Sequence, residues 1–162
     1  MAVRNCAEIG ENLQYVIKRL LANQTLLKYL YYTDKDPLSH ADLTKEQIQK
    51  EIFNKLIKIT PRVGAKENVQ SIVAVRVVNG VPNANDEFSD ITISVEVFIP
   101  LTQWIVKGTN LRPFAILGEI QKSLNEKKIN GLGRMKSTSF NLQFLTEEIG
   151  CYEQIYHITS YD

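Results

Sequence analysis

A chain of 162 residues, 44% of them apolar and 23% charged, has the length and composition of one globular domain. Its formal net charge of +1 gives no reason to expect a dedicated nucleic-acid binder, which usually shows a strongly basic face. We expect neither a transmembrane helix nor a secretory signal, because charges interrupt every apolar run. Cys6 and Cys151 lie far apart without a CxxC spacing, and are expected to be free thiols in a reducing compartment.

The first third of the chain is predicted to be helical. Apolar residues recur at helical spacing over residues 5–22, with acids near the start and bases near the end. A short helix at 25–31 is so rich in large apolar groups that it should lie in the core or at a subunit interface. Thr44 and Gln47 form a capping-box pattern that begins a third helix, which Pro61 should end.

Two strands are predicted near the middle of the chain. In residues 88–100 apolar side chains alternate with polar ones, and a helix would scatter them around its circumference. The residues that should share one face are Ile91, Ile93, Val95, Val97 and Ile99. Residues 69–78 form the preceding strand, and Asn79-Gly80 after them is a turn signal.

A helix and two more strands are predicted to complete the fold. Asn110 should cap the helix, with Pro113 inside its first turn. Alternation over residues 140–144 and 151–161 predicts the strands. The order of elements favours an α+β fold with a mostly antiparallel sheet of about four strands and helices packed on one face. We expect a single domain over residues 1–162.

No residue pattern predicts catalysis, a metal site or a cofactor. His40 and His157 have no partner at metal-ligand spacing. Cys151 and His157 would lie ~20 Å apart along an extended strand, too far for a nucleophile and its base. We therefore expect that the protein is not an enzyme and holds neither a metal nor a cofactor.

Several residues are candidates for partner contacts. Trp104 follows the long strand outside its alternation, and exposed tryptophans are favoured interface anchors, although a position at the core edge is equally compatible. Tyr31 and Tyr32 add aromatic surface beyond the needs of one small core. Arg134 and Lys136 belong to a basic cluster with Lys127 and Lys128. That cluster could contact nucleic acid, but a solvated hairpin is the commoner arrangement in a neutral protein.

A leading helix, a long strand ending in VEVFIP at 95–100, one helix and a closing strand YHITSY at 156–161 follow one another in this chain. This order resembles that of the tail terminator proteins of long-tailed bacteriophages. The resemblance covers residues 5–30 and 69–162. Relative to compact members of that family, residues 34–68 look like a helical insertion.

The resemblance implies a structural function. Tail terminators assemble as a hexameric ring that caps the tail tube, ends its polymerisation and meets the head connector, while DNA passes through the bore without sequence recognition. We therefore expect a virion protein of the phage neck, present in the host cytoplasm before assembly. Its partners would be further copies of itself, the tail tube protein and the head connector, with no membrane. The alternatives are another neck or head–tail completion subunit, or a small regulatory or enzymatic α+β domain.

Overall fold

The computed structural model describes residues 6–59, 70–82, 84, 88–108, 110–129 and 133–159. These residues form helices packed against one β-sheet. The helices are α1 (Cys6–Leu21), α2 (Gln24–Tyr31), the short α3 (Lys45–Gln47) with its π-helical continuation (Ile48–Ile52), and α4 (Arg112–Leu124). The strands are β1 (Ile57–Ile59), β2 (Ile72–Pro82), β3 (Phe88–Pro100), β4 (Lys128–Ile129), β5 (Gly133–Leu145) and β6 (Ile149–Thr159). None of the described helices is both long and apolar enough to span a bilayer.

The strands form one mixed sheet in the order β1-β2-β3-β6-β5-β4. β1 runs parallel to β2, and all other neighbours are antiparallel. The expected α+β class is confirmed, but the sheet has six strands rather than about four. The two additional strands, β1 and β4, are only three and two residues long, which is too short for an alternating pattern to be visible.

One face of the sheet, called the helix face below, carries the core. The five alternating apolar residues of β3 all lie on it, and each is at most 1% exposed, as predicted. Their partners on β6 include Tyr152, Tyr156 and Ile158, which share that face. Helix α4 packs over β3 and β5, while α1 reaches β1 and β4. The opposite side of the sheet is called the far face.

The third predicted helix is correct at its start and wrong at its end. Thr44 and Gln47 make the expected reciprocal capping box. The helix ends at Ile52, however, and Asn54 adopts a left-handed conformation with φ of 59°, which asparagine tolerates better than most residues. The chain then turns into β1, where backbone pairing with β2 replaces helical hydrogen bonds. Pro61 lies outside the described residues.

The boundaries of the later elements also differ from the prediction. Helix α4 begins at Arg112 after Leu111, so Asn110 is not its cap, although Pro113 lies in the first turn as expected. β5 is longer than the predicted segment and contains two irregularities, one between Ser137 and Ser139 and one between Leu142 and Phe144. The second irregularity moves Phe144 to the far face, so that the apolar residues of this strand do not share one side.

A fully buried arginine joins α4 to two distant segments. The guanidinium of Arg112 donates hydrogen bonds to the backbone carbonyls of Gln103, Tyr29, Tyr32 and Asp34 at 2.5 to 2.9 Å. The carbonyls of Tyr29 and Tyr32 lie at the end of α2, where helical partners are missing and a cation is favourable. Burial lowers the pKa of Arg112, with the charge of Asp34 opposing that shift, and an arginine stays charged all the same.

Replacing this arginine should therefore cost much of the stability of the fold. We expect Arg112→Met to lower the free energy of unfolding by about 3 kcal/mol or more, because each buried carbonyl left unpaired costs about 1–3 kcal/mol. Urea denaturation followed by circular dichroism measures the change. The same substitution at the exposed Arg19 on α1 is the control and should stay within about 0.5 kcal/mol of wild type. Equal effects at the two positions would contradict the assigned role of Arg112.

Candidate functional site

A group of large apolar side chains is exposed on the helix face beside α4. On β5, the cross-strand partners of Phe140, Leu142 and Leu145 are Gln154, Tyr152 and Gly150, which all lie on the helix face. The exposed fractions of Phe140, Leu142, Leu145 and of Phe114 on α4 are 58%, 53%, 61% and 41%. We call these four residues the β5 patch.

Aromatic side chains pack against one another and against the β5 patch. The ring of Phe114 lies 6.3 Å from that of Phe140 and 5.3 Å from that of Tyr152, measured between centroids. Tyr152 in turn lies 6.2 Å from Trp104. Aromatic pairs at such separations favour tilted or edge-to-face arrangements and add to the stability of the layer. The patch is thus held on a packed aromatic base.

The outer edge of β5 beside the patch is open. β4 pairs only with Gly133 and Arg134, and residues 125–127 bond to Met135 and Ser137. Beyond Ser137, no strand in the described part of the chain pairs with this edge. The nine residues 137–145 contain no charged side chain. Exposed strand edges are usually protected by charges, above all by lysine, so this edge lacks the common protection against pairing.

The predicted contact Trp104 lies half-buried at the border of the patch. Its ring packs on Gly150, where a Cβ atom would be 2.5 and 2.6 Å from two ring carbons. This geometry matches packing at the core edge, which was the alternative considered for this residue. Direct contact between Trp104 and a partner remains a prediction.

The other predicted contacts do not form one site with the patch. Tyr31 packs edge-to-face on Tyr32, whose ring stacks on His40 with centroids 4.0 Å apart. Arg134 and Lys136 are exposed at the opposite end of β5 from Leu145. All four remain predicted contacts. The exposed apolar side chains of the β5 patch were not predicted as contacts, although the alternation of Phe140 and Leu142 was visible.

Several polar side chains on the far face pair with one another. Glu96 forms an ion pair with Arg76, and Glu153 accepts hydrogen bonds from Ser94 Oγ, at 2.6 Å, and from Gln143. Within the described residues, no three His, Cys, Asp or Glu side chains are placed to hold a metal ion. Cys151 is buried beside this network, and burial raises the pKa of its thiol to about 12. Such a thiol stays protonated and is a poor nucleophile at neutral pH.

The two cysteines should therefore differ in reactivity. Cys6 is exposed, whereas Cys151 is buried with its pKa raised to about 12. In native protein at pH 8, a chromogenic disulfide reagent should titrate one thiol rapidly, and two after denaturation. Cys6→Ser should remove the rapid reaction and leave one thiol that reacts only after denaturation. Rapid reaction of Cys6→Ser in its native state would contradict the buried, protonated state of Cys151.

Gly150 is expected to be essential for the packing of Trp104. Gly150→Ala should lower the free energy of unfolding by about 1–3 kcal/mol, because the added methyl group overlaps the indole ring and forces it to move. Gly118→Ala on α4 is the matched control, since nothing lies within 4 Å of its added methyl group. In a helix this control change should stabilise by about 0.5–1 kcal/mol. Chemical denaturation of both variants should show changes of opposite sign in the free energy of unfolding.

Comparison with known proteins gives a family for this chain. The family model named YomW matches residues 23–158, from the residue that caps α2 to the end of the buried part of β6. No curated protein matches the chain. Because the match covers 136 of the 162 residues, the chain belongs to the YomW family, a phage-derived family of the Bacillus prophage type.

Proposed function

We propose that this protein is a structural subunit of a phage neck, and specifically a tail terminator. Copies of it would form a hexameric ring, as the resemblance to tail terminators implies, that caps the tail tube, ends its polymerisation and joins the tail to the head connector. Two findings support the proposal: the element order resembles that of tail terminators, and the YomW family is phage-derived. The observation that carries it is the β5 patch beside its open strand edge.

The chemistry of this surface suits a permanent partner. Interfaces that stay closed throughout the life of an assembly are more apolar than transient ones, and their centres exclude charge. The β5 patch offers four large apolar side chains, and the strand edge beside it is uncharged over residues 137–145. In a monomer this edge would leave backbone N–H and C=O groups open to pairing with another chain.

A second copy of the chain is the occupant that we propose for this surface. In a ring, each subunit uses two different surfaces, because the contact runs head to tail. The two sides of this sheet are unlike: the open part of β5 is uncharged over residues 137–145, whereas β2, which β1 covers at only three of its 11 residues, carries Arg76 and ends at Pro82. The subunit therefore has the asymmetry that a head-to-tail contact requires.

Two alternative functions assign the contact or the site differently. Another neck or head–tail completion subunit would place the β5 patch against a different protein of the particle. A regulatory or enzymatic α+β domain would need a site elsewhere, and the far-face network is its best location because Glu96 and Glu153 are direct cross-strand partners there. Both neck subunits would form a closed ring of several copies, whereas the regulatory or enzymatic domain would not.

Imaging of the phage particle that contains this protein tests the proposal. We expect a sixfold ring between the tail tube and the head connector. In particles that carry Phe140→Ser with Leu142→Ser, the ring should be missing and the tubes should exceed their normal length, because nothing ends their growth. Leu38→Ser is the control, since Leu38 is 45% exposed and lies outside the β5 patch.

The outcome separates the candidate functions. A single copy in the particle, or absence from it, would reject the ring. A ring that survives the double substitution would place the subunit contact elsewhere. Native mass spectrometry of the isolated protein adds the concentration at which the ring forms, since contacts that bury less than ~1,200 Å² are typically weak.

A further inference from the structure

A basic pocket lies where the end of α1 meets β4. It has a volume of about 250 Å³ and is lined by Tyr15, Lys18, Arg19, Ala22, Lys128 and Ile129. Three of these six residues carry a positive charge and none carries a negative one. The two segments are more than a hundred residues apart in sequence, so only the fold brings their charges together.

The charges in this pocket have no acidic partner in the part of the chain that the structure describes. Elsewhere, exposed lysines such as Lys50, Lys107 and Lys122 pair with carboxylates at 2.6 to 2.7 Å. No such pair is formed by Lys18, Arg19 or Lys128, and the ammonium of Lys18 instead lies 5.1 Å from the centre of the Tyr15 ring. Converging cations without counter-ions are favourable for a negatively charged ligand.

Charge is segregated on this molecule although its net charge is close to zero. The pocket cations and the flanking Lys127 and Arg134 make up five of the nineteen basic residues, and together with Glu126, which lies 3.7 Å from Arg134, they carry a net charge of +4. The remaining fourteen bases and seventeen acids give the rest of the chain a net charge of −3. A net charge of +1 therefore conceals a local excess of four positive charges around the pocket.

We propose that this pocket binds phosphates of the backbone of duplex DNA. Phosphate contacts fix position without reading sequence, and lysine and arginine are their usual donors. Proteins that bind single strands stack bases on aromatic rings, but here the Lys18 ammonium occupies a face of the only aromatic ring in the pocket. This proposal rests on the proposed function, because it assigns to the pocket a contact with the DNA that would pass through the neck.

Fluorescence anisotropy with a short labelled duplex of arbitrary sequence tests the pocket. Lys18→Gln with Arg19→Gln should weaken binding about tenfold or more, and should flatten the slope of log K against log salt by about 1.8, at about 0.9 for each phosphate contact. Lys50→Gln with Lys55→Gln removes the same charge elsewhere and should change affinity less than twofold. All four side chains are exposed, and thermal melting verifies that both variants fold.

Three results would overturn the assignment. Equal losses in the two double variants would mean that only net charge matters. Tighter binding of a single strand of the same length would contradict a duplex site. Displacement of the duplex by poly-glutamate at equal charge would assign the pocket to an acidic protein segment. Because these measurements use the isolated subunit, a protein that binds duplex but never forms a ring would reject the proposed function and keep the pocket.

Discussion

The buried guanidinium of Arg112 is the interaction on which the arrangement of the candidate site depends. It donates hydrogen bonds to carbonyls at the end of α2 and in the turn after β3, and the backbone N–H of Arg112 donates to the carbonyl of Trp104 at 2.8 Å. The turn is therefore held by both the main chain and the side chain of one residue. That turn places the indole ring on Gly150, and the indole in turn supports Tyr152 beneath the β5 patch. An interior cation thus positions an apolar surface that it does not touch.

The parts of the fold that could be predicted are those whose causes are local. Alternation in β3 requires only that one face is buried, and the capping box of Thr44 and Gln47 closes within four residues. β1 could not be predicted, because the left-handed turn at Asn54 and the distant pairing with β2 create it. The role of Arg112 could not be predicted either, since three of its four carbonyl partners lie 78 to 83 residues away in the sequence.

The candidate surfaces show a related limit. Alternation in β5 indicates which residues can share a side, but it does not indicate whether anything covers that side or where a bulge reverses it. The sequence therefore predicted that Phe140 and Leu142 lie on a strand, but not that their side chains are exposed. The sequence likewise indicated a hairpin at the basic cluster of Lys127, Lys128, Arg134 and Lys136. Only the packing of α1 against β4 adds Lys18 and Arg19 to Lys128 and turns separate charges into a pocket.

The two irregularities in β5 have a consequence for how far this strand could propagate. An uncharged segment rich in strand-forming residues is the kind of sequence that stacks into cross-β fibrils, in which each strand pairs in register with the strands above and below it at a spacing of about 4.7–4.8 Å. The two irregularities, near Ser137 and Leu142, break the regular hydrogen-bonding pattern along β5 twice, and a β-bulge also increases the local twist of its strand. A fibril cannot extend along an edge whose hydrogen-bonding groups are not regularly spaced. One neighbouring strand with matching irregularities can still pair with it. The irregular strand thereby admits a finite contact and resists endless growth.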